Sequence, residues 1–137
     1  MTAKEALQKR SAAIRAQGLS VQAWVDREAK LRAMLVGTTA RWEDAPGGGK
    51  PCDLADKLEN LRETRDMASC QIDRLAAMRV ALAKDIHAAV GDGEEAILLA
   101  LRYADGYQWT EIAEKMGYSI RQIYRMHGDA LQKFDGK

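Results

Sequence analysis

Between Trp109 and Met126 the chain reads Trp-Thr-Glu-Ile-Ala-Glu-Lys-Met-Gly-Tyr-Ser-Ile-Arg-Gln-Ile-Tyr-Arg-Met, two short amphipathic stretches hinged at Gly117. This spacing constrains the fold more than any other feature. Two helices that cross steeply through a short turn need a small residue where the backbones approach and a residue that tolerates positive φ at the turn. They also need an apolar residue that pins the second helix. Ala113, Gly117 and Ile123 stand at those places. Ile112, Met116, Met126 and either Ile120 or Ile123 recur at three- and four-residue steps, so both helices can share one core. The run predicts a helix-turn-helix, with Trp109 closing the core at the start of the first helix. A further helix is predicted from Glu94 to Ala104, rich in apolar residues, preceded by Gly91-Asp-Gly93 and stopped by the turn dipeptide Asp105-Gly106.

A helix-turn-helix that binds DNA lays its second helix in the major groove and presents the N-terminal side chains to base edges. Here those are Ser119, Arg121, Gln122 and Arg125. Ser119 is placed to cap the helix beginning at Ile120, and the free N–H groups there also suit a phosphate. Arg121 and Arg125 are four apart and share a face, where guanidinium forks suit guanine or phosphate; Gln122 suits adenine. Tyr118 and Tyr124 reach either the nucleic-acid backbone or the edge of the core.

The stretch from Leu101 to Leu131, Leu-Arg-Tyr-Ala-Asp-Gly-Tyr-Gln-Trp-Thr-Glu-Ile-Ala-Glu-Lys-Met-Gly-Tyr-Ser-Ile-Arg-Gln-Ile-Tyr-Arg-Met-His-Gly-Asp-Ala-Leu, resembles region 4 of bacterial sigma factors, the part that reads the −35 promoter element. The layout as a whole resembles small phage and prophage regulators of late genes, of the ArpU and RinA type. The resemblance is specific over residues 97–134 and looser before them. It implies recognition-helix positions for Arg121, Gln122 and Arg125, and phosphate-contacting positions for Thr110 and Ser119. Ile120 departs from the pattern, being apolar where many sigma factors carry a polar or basic residue. It either packs or touches a thymine methyl, and base preference does not transfer.

The remaining sequence predicts an all-α chain. Of 137 residues only two are proline and one phenylalanine, with abundant Ala, Leu, Arg and Glu. No run approaches a membrane span and the first residues lack the apolar stretch of a signal peptide, so a location in the host bacterial cytoplasm is expected. Cys52, Cys70, His87 and His127 complete no metal-ligand spacing, so no metal or other cofactor is implied.

Between Asp53 and Val90, Leu54, Leu58, Leu61, Ala68, Ile72, Leu75, Leu82, Ile86 and Ala89 form a heptad-like seam. Arg65 and Arg79 interrupt it; they either pair and fix register, or reach water from a shallow seam, which is the simpler reading. Upstream, Thr2 and Glu5 suggest a capping box, and Leu7, Ile14, Val21, Val25, Leu31 and Leu35 an apolar stripe. Gly18-Leu19-Ser20 predicts a kink, or two helices over 3–17 and 20–36. Residues 1–41 carry eight Lys/Arg against three Asp/Glu, whereas residues 42–93 carry seven against ten. This complementarity predicts an antiparallel, coiled-coil-like hairpin over residues 1–90, joined by a mobile loop over 37–52 and followed by the helix-turn-helix domain over 94–135.

Gly47-Gly-Gly-Lys50 lacks the outer glycine and the following Ser/Thr of a phosphate loop, and Pro51 follows instead. Trp42 either anchors a partner or folds back. Acidic pairs such as Glu94-Glu95 stand at helix N-termini, where the helix dipole accounts for them, and no nucleophile–base grouping is recognisable, so no enzyme is expected. Residues 94–137 carry six Lys/Arg and seven Asp/Glu, so one copy should bind DNA weakly. Homodimerisation through the hairpin, basic residues of the N-terminal helices or tethering to RNA polymerase would supply the deficit. The leading expectation is a sequence-specific regulator on double-stranded DNA. The alternatives are a small-terminase-like packaging factor, and a sigma-like module that contacts RNA polymerase.

Overall fold

The computed structural model describes residues 2–44 and 51–136, with side chains described over 2–37 and 54–136. Every element among the described residues is helical. Helix α1 spans Ala3–Asp44, α2 Pro51–Val90, α3 Glu94–Leu99, α4 Trp109–Met116 and α5 Ile120–Asp135. A π-helical turn, Ala100–Ala104, continues α3 and ends where the Asp105 amide donates to the Ala100 carbonyl. Among the described residues no helix is long and apolar enough to cross a membrane.

One compact unit gathers residues 1–16 and 75–137. Its larger cluster joins Leu7 and Ile14 of α1, Leu82 and Ile86 of α2, Ala96 and Leu99 of α3, Tyr103 and Ala104 of the π-turn, and Ala130 of α5. The second cluster packs Leu98 against Ile112, Ala113 and Ile123, with Trp109, Met116 and Met126 around them. Each fully buried Leu or Ile contributes about 1.5–3 kcal/mol by leaving water. Polar ties close the ends. Thr2 and Glu5 form the predicted capping box, and the Ala3 amide donates to Asp135 at the far end of α5 (2.8 Å). Lys133 reaches Glu95 at 2.6 Å.

The other compact unit is residues 17–74. The start of α1 and the end of α2 thus share their core with α3 and α5 rather than with residues 17–74. In this unit Gln17 Nε2 donates to both the backbone and side-chain oxygens of Gln71 (3.0 and 2.7 Å), and Ser20 Oγ donates to the same side chain. Arg65 Nε donates to Glu28 Oε1 at 2.9 Å, and Arg32 holds the other oxygen at 2.5 Å. Glu28 is buried, and its two guanidinium partners, Arg65 foremost, hold its carboxyl below the usual range.

Three expectations need correction. Gly18 does not end α1, which is assigned as one helix, so the two-helix alternative over 3–17 and 20–36 does not hold; the roughly 1 kcal/mol that a mid-helix glycine costs is offset by tertiary bonds at Gln17 and Ser20. The connection expected over 37–52 is narrower, since α1 runs to Asp44 and α2 begins at Pro51; Trp42 and Cys52 lie outside the described side chains. The α2 seam is also interrupted at two of its positions. Leu61 and Ala68 are buried as expected, but Leu58 (49% exposed) and Ile72 (46%) face solvent, while polar Gln71 is turned inward. Arg65 pairs with Glu28 rather than simply reaching water; Arg79 is exposed.

Candidate nucleic-acid interface

The turn between α4 and α5 is built from backbone requirements. Gly117 sits at φ 75° and ψ 26°, and both its amide and that of Tyr118 donate to the Ala113 carbonyl (2.9 and 3.1 Å). A Cβ at Gly117 would meet nothing within 4 Å, so the position needs glycine for its left-handed conformation and not for space. Ser119 then caps α5: its hydroxyl accepts from the Gln122 amide (3.2 Å), and Gln122 Oε1 accepts from the Ser119 amide (3.0 Å). Ile123 is fully buried beneath α5 and is the core residue of the two candidates; Ile120 is 41% exposed.

All seven residues singled out for DNA contact are exposed: Thr110 on the first turn of α4, and Ser119, Ile120, Arg121, Gln122, Tyr124 and Arg125 along the first half of α5. Arg121 and Arg125 share one face and make no hydrogen bond or ion pair among the described residues. Gln122 differs from the free adenine reader expected, because its carbonyl oxygen is engaged in the capping box. Leaving the box would forfeit about 0.5–2 kcal/mol of helix capping. The Ser-x-x-Gln spacing carries that signal in the sequence. Tyr118 is the core-edge aromatic: it packs on the second cluster and donates its hydroxyl to Glu94 at 2.6 Å, which raises its pKa.

The flank of α5 holds an arrangement that local spacing does not reveal. Trp109 packs edge-on against Tyr124 (centroids 5.4 Å apart) and His127 (4.6 Å), and the Arg102 guanidinium lies 4.6 Å over its ring. Such a stack contributes about 0.5–2 kcal/mol beyond burial. Tyr103 and His127 Nε2 share a hydrogen bond of 2.8 Å. Burial pushes the His127 pKa down to about 4, with the nearby Lys4 and Arg102 charges adding to the effect. The imidazole is therefore neutral at pH 7. Residues from α1, the π-turn, α4 and α5 meet here, far apart in sequence, which is why the sequence pattern misses them.

No family model, no curated protein and no solved structure matches this chain, so the reading of this face rests on its geometry.

Proposed function

We propose that α4, the Gly117 turn and α5 form a helix-turn-helix that reads double-stranded DNA, with the first turns of α5 in the major groove. On this reading the chain is a sequence-specific transcription regulator of the phage or prophage late-gene type. The observation that carries it is a pair of partnerless guanidinium groups, Arg121 and Arg125, on the solvent face of a helix whose start is capped and whose opposite face is pinned by Ile123. Such a surface is held still without using the side chains that would contact bases or phosphates. Ile120 beside them offers a methyl-bearing surface to thymine.

A second copy of the chain doubles the contacts that one copy makes, by pairing hairpins of α1 and α2. The support is the unit over residues 17–74, whose polar seam leaves Leu19 (70% exposed), Leu58 and Ile72 outside. Sedimentation showing only monomer at tens of micromolar would remove the dimer. Ile120 and Tyr124, both apolar and exposed, favour as a second reading a protein contact such as RNA polymerase on the same face.

The decisive experiment selects bound fragments from a genomic DNA library, comparing wild type with Arg121→Ala/Arg125→Ala at physiological salt. One enriched motif that disappears in the double variant supports the regulator. No enrichment by either protein moves the reading to the protein contact.

A further inference from the structure

The flank of α5 also borders a cavity of about 440 Å³, within the compact unit formed by residues 1–16 and 75–137. Lys4 and Arg15 reach it from α1, Arg102 from the π-turn, Trp109 from α4, and Tyr124 and His127 from α5. Gln8 and Ser11 add polar side chains to the α1 wall, and neither Asp nor Glu lines it. The volume lies in the range of small-molecule sites.

Three cations thus face one space with no carboxylate among its lining residues. Lys4 and Arg15 make no hydrogen bond or ion pair among the described residues. Arg102 donates to the Tyr107 carbonyl (3.1 Å) and lies over Trp109, neither of which neutralises its charge. The positive field is felt by His127, whose protonation Lys4 and Arg102 both oppose. Like charges gathered without a counter-charge repel one another, and an anion entering between them removes that repulsion. Trp109 and Tyr124 add flat apolar surface, suited to a sugar or base.

We propose that this cavity is a phosphate-ester site in which Lys4, Arg15 and Arg102 hold the phosphate of a nucleotide unit and Trp109 and Tyr124 lie against its sugar or base. The same chemistry is presented by a DNA backbone and by a free mononucleotide. Tyr124 belongs both to the cavity and to the exposed side of α5, so a duplex on that face would bring its backbone to the cavity mouth. The backbone source rests on the DNA reading above; the mononucleotide source does not.

The test titrates the full chain with a labelled random-sequence duplex, between about 50 and 200 mM salt, and with adenosine monophosphate. Four proteins are compared: wild type, Lys4→Ala/Arg15→Ala, Arg121→Ala/Arg125→Ala, and Lys9→Ala/Lys30→Ala, which lowers net charge equally away from the cavity. Circular dichroism checks that each stays folded. Lys4→Ala/Arg15→Ala should weaken whichever ligand occupies the cavity by about tenfold or more, well beyond the charge control. For the duplex, the slope of log affinity against log salt should shrink by about 2. Mononucleotide binding lost in this variant, with no duplex binding by wild type, sustains the cavity and removes the duplex backbone as its occupant. Duplex binding lost only in Arg121→Ala/Arg125→Ala, with no mononucleotide binding, sustains the regulator and overturns the cavity. Binding of neither ligand by wild type, or losses no larger than the control's, also overturns it.

Discussion

The two compact units solve the same packing problem with different materials. In residues 1–16 and 75–137, apolar side chains from α1, α2, α3 and α5 bury one another completely, and polar bonds such as Ala3 to Asp135 sit at the ends. In residues 17–74 the inward positions include Gln17, Ser20, Gln71 and Glu28, joined by hydrogen bonds and ion pairs, while Leu58 and Ile72 are left outside. A fully buried Leu or Ile side chain contributes about 1.5–3 kcal/mol, against about 0.5–1.5 for a hydrogen bond exchanged with water, so the first unit is expected to resist opening and the second to open first. The apolar unit holds the α5 face and the cationic cavity; the polar one leaves Leu19, Leu58 and Ile72 exposed.

The largest effect expected from this contrast follows truncation of Leu82, fully buried in the first unit. Leu82→Ala should cost about 2–5 kcal/mol in denaturant unfolding, whereas Leu58→Ala, in the second unit, should stay within about 0.5 kcal/mol at concentrations where the chain is monomeric. Equal losses for the two would erase the contrast. A loss at Leu58 that grows with protein concentration would sharpen it instead, by placing Leu58 under a partner.

Next in size is Gly117→Ala. At φ 75° an added Cβ meets free space but forces a left-handed backbone, for about 1–2 kcal/mol. Because this strain lies at the junction of α4 and α5, amide exchange should accelerate there and not over 17–74. Acceleration over both regions alike would show that the units open as one.

The turn was legible because its requirements are local: Ala113, Gly117, Ser119 and Ile123 lie within one stretch, and each place admits few residue types. The capping role of Gln122 was also written locally, as Ser-x-x-Gln, yet the same residue at the start of α5 equally suggests a base reader. The α2 seam was ambiguous for a geometric reason. Positions 61, 68, 75 and 82 can be completed by 58, 65 and 72 on one side or by 64, 71 and 78 on the other. The facing residues of α1, not the α2 sequence, decided for Gln71 and Met78. The cavity was beyond sequence reading altogether, since Lys4 and Arg15 meet Arg102 and Trp109 only through the tertiary fold.

Acid should separate the units in a third way. His127 faces Lys4 from α1, Arg102 and Tyr103 from the π-turn, and Trp109 from α4, with no carboxylate lining its cavity. Its folded pKa of about 4 lies below the unfolded 6.5, so the unfolded chain takes up a proton first. The stability it contributes is complete above pH 6.5 and declines as pH falls toward 4, by about 1 kcal/mol once its half exposure is discounted. Glu28 in the other unit, also lowered in pKa, contributes above its ordinary value of 4.5 and loses that only below it. Exchange measured at pH 5 should therefore show loss in residues 75–137 before any acid effect at Glu28. A His127 imidazole titrating near 6.5 by NMR would remove the ordering.

The smallest effect tests why the second unit keeps polar residues inside at all. Gln71→Leu preserves the acceptor that Gln17 finds on the residue 71 backbone, but removes the side-chain oxygen shared by Gln17 and Ser20. The apolar gain and the lost hydrogen bonds are of similar size, so stability should change by no more than about 1 kcal/mol. Register is where the substitution should tell. With leucine at 71, the sides of α2 carrying residues 71 and 72 become equally apolar, and nothing specific to Gln17 and Ser20 selects between them. A cysteine pair placed at positions 17 and 71 cannot report this, since it would occupy the same sites. Spin labels at the exposed Gln22 and Asp66 can. A single narrow distance distribution in wild type that broadens in Gln71→Leu, at nearly unchanged stability, would mean that the polar seam sets the pairing rather than its strength. An unchanged distribution together with a gain above about 2 kcal/mol would mean that the seam is merely a weaker core.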